Sequence, residues 1–306
     1  MTARPTLKLQ ARAKLNLALA VGPPRIEDGL HPIASWMAPI ELADELTICR
    51  LEPDRDSRYA ILWAGDAPRR TDIDWSITRD LAVRAHLALE AWAGRRLPVQ
   101  LKLEKRIPVG GGLGGGSSDA AATLLAVREL FDLPISDEEL RDIGCALGAD
   151  VPFFLPPAAA APALVAGAGE VVERTAAELR GGVVLLAPPM ATSTAAVYRA
   201  FDDVRLERPF EEAAAQVAEL ASAGDPAAAE LFNDLQTPAL TACAELAQLL
   251  EAASETAGLP LRLTGSGSCC FAVAPSEDEA QRACAALRSA PELSRCAVLT
   301  TRFAAS

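Results

Sequence analysis

Six of the seven residues from Gly110 to Gly116 are glycine, within the run Pro108-Val109-Gly110-Gly111-Gly112-Leu113-Gly114-Gly115-Gly116-Ser117-Ser118-Asp119. Glycine loses more conformational freedom on folding than any other residue, so so dense a run fits a backbone that needs positive φ or close approach. Its setting argues against a flexible linker. Before it, Val99, Leu101, Leu103 and Ile107 alternate with Gln100, Lys102, Glu104 and Arg106, the period of a half-buried strand. After it, residues from about Ser117 to Phe131 read as a helix. A strand, a glycine loop and a helix in that order leave the first helical N–H groups unpaired at the positive end of the dipole. That is a place for an anion, above all a phosphate. Ser117 or Ser118 would cap the helix or offer a hydroxyl to the phosphate or its metal.

The kind of phosphate loop can be narrowed. No lysine precedes the serines, as a Walker A loop requires. Gly110, Gly112 and Gly115 fit G-x-G-x-x-G, but the strand before them alternates in polarity, whereas a dinucleotide-binding strand is apolar on both faces. Nicotinamide binding is therefore a minor alternative. A serine nucleophile is weakly supported, because G-x-S-x-G is missing and the chain has only two histidines, His31 and His86.

Composition sets the limits around this loop. At 306 residues the chain can form two domains with a sizeable core. The net charge of −12 argues against a general nucleic-acid partner. Seven cysteines without a C-x-x-C, beside two histidines, make a zinc site improbable and read as reduced thiols in a cytoplasmic protein. Leu7 through Val21 places apolar residues at every odd position, with Lys8, Gln10, Arg12, Lys14 and Asn16 between them. A strand accounts for this better than an export signal. Val151–Gly169 is uncharged but broken by Pro152, Pro156, Pro157 and Pro162, so no membrane span is expected.

Strands are expected over residues 6–21, 41–51, 99–107, 182–187, 261–263 and 270–274. Helices are expected over 76–92, 117–131, 136–148, 210–221, 238–253 and after Ser276. Ser136 with Glu139 forms a capping-box pattern. The elements mix without strict βαβ alternation, which favours α+β. The Pro- and Ala-rich stretch 156–163 suggests domains of 1–160 and 161–306.

Pro108–Asp119 resembles the P-x-G-x-G-L-G-S/G-S-S loop of the GHMP kinase superfamily. Four more blocks resemble one branch of it, the kinases acting on a cytidine diphosphate-linked methylerythritol. They are Ala13–Leu17, Asn233-Asp234-Leu235, Leu263–Phe271, and Leu147-Gly148-Ala149-Asp150-Val151-Pro152-Phe153-Phe154. The resemblance implies a GHMP kinase fold: an N-terminal domain like the second domain of ribosomal protein S5 and a ferredoxin-like C-terminal domain. It implies ATP as co-substrate, with Mg2+ as its counterion and its phosphates under Pro108, Val109, Gly110, Gly111, Gly112, Leu113, Gly114, Gly115, Gly116, Ser117 and Ser118. The acceptor would be the 2-hydroxyl of the methylerythritol unit, in the non-mevalonate isoprenoid pathway. No carboxylate cluster marks a dedicated metal site in the sequence.

Phosphoryl transfer needs a held nucleotide, an aligned hydroxyl and charge compensation. Asp150 is the candidate proton acceptor, on a turn where Pro152 should keep Val151 extended. It could equally be a turn aspartate bonded to its own backbone. Lys14 alone reads as a solvated strand lysine; the family pattern makes it the catalytic partner of Asp150. The resemblance also places Asn16 at the methylerythritol end, and His31 on the cytosine through Asp28-Gly29-Leu30-His31, where the family has Asp-Gly-Tyr-His. A second stacking aromatic falls loosely at Tyr198, with Thr194 nearby. Leu30 replaces the family tyrosine, and Asp80 stands where the family usually has an asparagine near the purine. The turn Gly265-Ser266-Gly267-Ser268 supplies N–H groups to the ligands or is a tight strand connection. The alternatives are a GHMP kinase for another small alcohol and a non-catalytic nucleotide-binding protein of the same fold.

Overall fold

The structure, a computed structural model, describes residues 5–156, 161–203 and 208–305. The chain runs β1 (Thr6–Val21), β2 (Ile33–Arg50), β3 (Arg58–Trp63), α1 (Leu81–Ala93), β4 (Val99–Lys105), α2 (Gly115–Phe131) and α3 (Asp137–Leu147). It continues with β5 (Ala163–Gly167), β6 (Val171–Arg174), β7 (Gly182–Ala187), α4 (Thr194–Asp202), α5 (Phe210–Ala223), α6 (Gln236–Ala242) and α7 (Ala244–Ala257). It ends with β8 (Arg262–Leu263), β9 (Cys270–Ala274), α8 (Glu277–Ser289) and β10 (Ala297–Thr301). Every strand pairing with a recorded register is antiparallel except β3 with β4, so the fold is α+β.

Two compact units are interleaved in sequence. The first holds Met1–Ala13, Leu42–Val109 and Gly114–Ala159; the second holds Lys14–Glu41, Gly110–Leu113 and Ala160–Ser306. The expected boundary at residue 160 lies outside the described residues. In the first unit, Glu45–Arg50 of β2 pairs with β4, which pairs with β3. Helices α1, α2 and α3 pack on one another. His86 of α1 is fully buried: its Nε2–H donates to the Leu97 carbonyl and its Nδ1 accepts from the Tyr59 hydroxyl. Burial pushes its pKa down, which favours this neutral state.

In the second unit, Ile33–Met37 of β2 pairs with β5 and β5 with β6, while a separate sheet has the order β10-β7-β9-β8. Leu19, Val21, Val184, Leu186, Val197, Phe201, Leu250, Leu263 and Leu287 belong to one core cluster there.

Several elements depart from the sequence reading. β2 begins at Ile33, because Trp36, Met37, Ala38 and Ile40 are all buried and show no alternation. Ser76 opens only a short 3-10 turn; α1 starts at Leu81, capped by Asp80 Oδ1 on the Ala82 N–H. The single helix expected over 238–253 is two, broken at Cys243 with φ −143° and ψ 88°. The apolar pattern of Leu240, Leu246 and Leu250 runs across that break and conceals it. Ser136 and Glu139 do form the capping box of α3. Among the described residues no disulfide is formed. Among the described residues no helix is long and apolar enough to cross a membrane.

Candidate active site

The glycine run turns because its backbone requires it. Gly110, Gly112 and Gly114 take φ of 71°, 76° and 70°, a left-handed conformation at every second position. In the second unit, a Cβ on Gly112 would stand 2.1 Å from the Thr264 carbonyl oxygen, so no side chain fits there. In the first unit, Gly114 is the N-cap of α2 and no side chain caps it. The serines therefore do not cap the helix, contrary to the sequence reading: Ser117 and Ser118 lie in its first turn, with Ser118 buried. The Ser118 N–H already bonds the Gly114 carbonyl at 2.9 Å, so the helical ladder begins there. The N–H groups of Gly115, Gly116 and Ser117 precede it and face outward along the dipole.

β4 alternates as expected, but Lys105 shares the inward side with Val99, Leu101 and Leu103. Its Nζ donates to Asp44 Oδ2 and to Asp119 Oδ2, each at 2.5 Å. Burial opposes the Lys105 charge, yet the two carboxylates outweigh it and raise its pKa above the usual lysine value. The sequence reading passed over all three residues, although Lys105 was readable from its parity on the strand.

Asp150 is half-buried and follows the end of α3. Val151 is not extended as expected: its φ of −63° and ψ of −43° are right-handed helical and open a 3-10 turn over Pro152–Phe154. The restriction before proline is a preference. Here it yields to packing, with Val151 and Phe153 fully buried beside half-buried Asp150.

In the second unit, Lys14 and Asn16 are each 3% exposed, so the second half of β1 is buried on both faces. Lys14 Nζ donates to Asn16 Oδ1, Asn16 Nδ2 donates to Ser35 Oγ at 2.9 Å, and Ser35 Oγ donates to the Ala18 carbonyl. The Lys14 N–H bonds the Leu113 carbonyl at 2.9 Å, tying β1 to the glycine run.

The second glycine turn braces the first. The Cys269 N–H donates to the Gly111 carbonyl, and Thr264 Oγ1 accepts the Asn16 N–H at 3.0 Å. Asn233 Nδ2 donates to the carbonyls of Leu263 and Gly265, and Thr192 Oγ1 donates to that of Ser266. These bonds engage carbonyls of the turn and fix its shape, as a tight strand connection requires.

His31 Nδ1–H donates to the Gly22 carbonyl at 2.8 Å, and Nε2 lies 3.3 Å from Asp202 Oδ1. Its ring packs on Tyr198 with centroids 5.0 Å apart and edge-on to Phe201 at 5.6 Å. Thr194 Oγ1 is 2.9 Å from Ser266 Oγ. Leu30 is half exposed, and Asp80 accepts from Trp75 Nε1 while capping α1.

Residues 80–156 match the GHMP kinases N terminal domain and residues 211–293 the GHMP kinases C terminal domain. A protein of Aromatoleum aromaticum named 4-diphosphocytidyl-2-C-methyl-D-erythritol kinase is 35% identical over 89% of this chain and 86% of its own length. One of the same name from Cutibacterium acnes is 33% identical over 95% and 93%. The chain belongs to the 4-diphosphocytidyl-2-C-methyl-D-erythritol kinase family of GHMP kinases. A crystal structure of 4-(cytidine 5'-diphospho)-2C-methyl-D-erythritol kinase agrees, with a TM-score of 0.74 at 32% identity, covering 98% of this chain and all of that one. Homoserine kinase from Cytophaga hutchinsonii, at 14% identity and a TM-score of 0.71, shares the fold.

Thr264, Ser35 and Asn233, which hold Asn16 and the second glycine turn, were visible in the sequence only as members of matching blocks or not at all. Their partners lie up to 248 residues away.

Proposed function

We propose that this chain transfers the γ-phosphoryl group of ATP to the 2-hydroxyl of 4-diphosphocytidyl-2-C-methyl-D-erythritol, in the cytoplasm, as a step toward isoprenoid precursors. The observation that carries this reading is the set of curated relatives named for that reaction, similar over about nine-tenths of the chain.

In this reading the polyphosphate binds the N–H groups of Gly110–Ser118, where the uncapped start of α2 supplies a positive dipole end. Magnesium arrives as the counterion of ATP. Asp150 accepts the proton of the 2-hydroxyl. Lys14, whose ammonium Asn16 orients, offsets the negative charge on the transferring group. His31, Tyr198 and Thr194 hold the cytosine end, and Asn16 the methylerythritol end.

The test is ADP release from Mg-ATP in the presence of that alcohol, wild type beside Asp150→Asn. Turnover in the wild type, with kcat lowered about 10²- to 10⁴-fold by the substitution, supports both the reaction and the role. No turnover by a folded protein that still binds ATP would remove this substrate. A kinase for another alcohol is the second reading, favoured by one observation: Leu30, half exposed, offers no ring to stack on a base.

A further inference from the structure

Three charged side chains meet beside the first turns of α2 and neutralise one another only in part. Lys105, Asp44 and Asp119 are 4%, 0% and 1% exposed. Asp44 is fully satisfied: Oδ2 accepts from Lys105, and Oδ1 accepts from the N–H groups of Arg106 and Ile107. Asp119 is not. Its Oδ2 accepts from Lys105, while Oδ1 is buried and meets no donor among the described residues. One ammonium between two carboxylates leaves an excess negative charge where burial makes it costly. A carboxylate with one bare oxygen is relieved by a proton on that oxygen. Burial accordingly pushes the Asp119 pKa well up, against the opposing pull of Lys105.

The cluster is joined to the phosphate loop on both flanks. Asp119 is in the second turn of α2, directly after the N–H groups of Gly115, Gly116 and Ser117. Asp44 holds the N–H groups of Arg106 and Ile107, the last two residues before Pro108. The charged groups facing Asp119 are Lys105 from β4, Asp44 from β2 and Asp80 at the N-cap of α1. Two of these are acidic, so a polyphosphate at the start of α2 adds to a field that already disfavours the anion.

We propose that Asp119 takes up a proton from solvent when a nucleotide phosphate binds at the first turn of α2, with Oδ1 the protonated atom and the Lys105–Asp44 pair holding the acid in place. The neutral acid then leaves Lys105 balanced by Asp44 alone, and one like charge fewer stands behind the bound phosphates. The inference rests on the nucleotide-binding part of the proposed function and is independent of which alcohol is phosphorylated. Because the bound state carries more protons, affinity falls as pH rises through the window between the free and bound pKa of Asp119. The slope is at most about tenfold per pH unit.

Calorimetric titration of the full chain with MgADP, in buffers of different ionisation enthalpy between about pH 5 and 8, counts the protons. ADP titrates in part of this range, so Asp119→Asn provides the subtraction. The expected result is a wild-type uptake exceeding that of Asp119→Asn by up to one proton, with a steeper pH dependence of affinity. Equal counts in the two proteins would overturn the proposal. If Asp119→Asn does not fold, the infrared difference spectrum of wild type with and without MgADP decides: a new protonated-carboxyl band supports it, and none overturns it. Failure of the wild type to bind MgADP at all would instead remove the nucleotide reading, and this inference with it.

Discussion

Thr264 shows how much a single hydroxyl can organise. Its Oγ1 accepts the Asn16 N–H at 3.0 Å inside a strand, where the backbone donor would otherwise be buried without a partner. Thr264→Val keeps the shape and removes the acceptor, so stability should fall by about 1–3 kcal/mol in urea denaturation. Since the same side chain steadies Asn16, which receives the Lys14 ammonium, kcat should also drop. Unchanged stability would show that the Asn16 N–H finds another acceptor. At this scale the sequence was partly readable. Lys14 and Asn16 stood out by their shared strand face, but that face looked solvated, and their burial comes from residues far along the chain. Asp119 lay inside the motif and still went unread, because a buried charge is recognised only by what surrounds it.

Among the elements, the glycine run and the helix it opens were the most legible. The alternating strand, the glycines and the helix follow from local chemistry, and β4, the turn and α2 appear in that order. Gly112 carries the sharpest element-scale prediction. Its φ of 76° and the Thr264 carbonyl 2.1 Å from any added Cβ make Gly112→Ala incompatible with the loop as it stands. The folded protein should lose MgADP affinity by more than an order of magnitude, measured by titration; retained affinity would separate loop shape from phosphate binding. At α3, Ser136→Ala removes the capping box and should lower stability by about 1 kcal/mol, with MgADP affinity unaffected. The missed elements share a cause. β2 begins within a uniformly buried run, and α6 and α7 share one apolar stripe, so neither boundary leaves a mark in the periodicity.

For the whole molecule, the buried acid makes folding itself pH-dependent. The Asp119 pKa lies above its unfolded value, so its contribution is fully present at low pH and is lost as pH rises through the folded pKa. The stability of wild type minus that of Asp119→Asn should therefore decline from about pH 4 upward, levelling off above the folded pKa. Parallel denaturation curves at several pH values check this; a constant difference would mean Asp119 is ionised throughout. The interleaving of the two units is also a whole-chain property. Lys14–Glu41 and Gly110–Leu113 group with the C-terminal residues, although both segments lie early in the sequence.

The sequence by itself determined the α+β class, the glycine loop between a strand and a helix and, through matching blocks, the residues expected to do the chemistry. These depend on signals within a few residues of one another: period, glycine content, caps. Only the tertiary structure decided that Lys14 and Asn16 are buried, that the second glycine turn braces the first, and that Lys105, Asp44 and Asp119 share one uncompensated charge. Burial and charge balance are sums over neighbours brought together from distant parts of the chain, and a strand of alternating letters does not say which neighbours those will be.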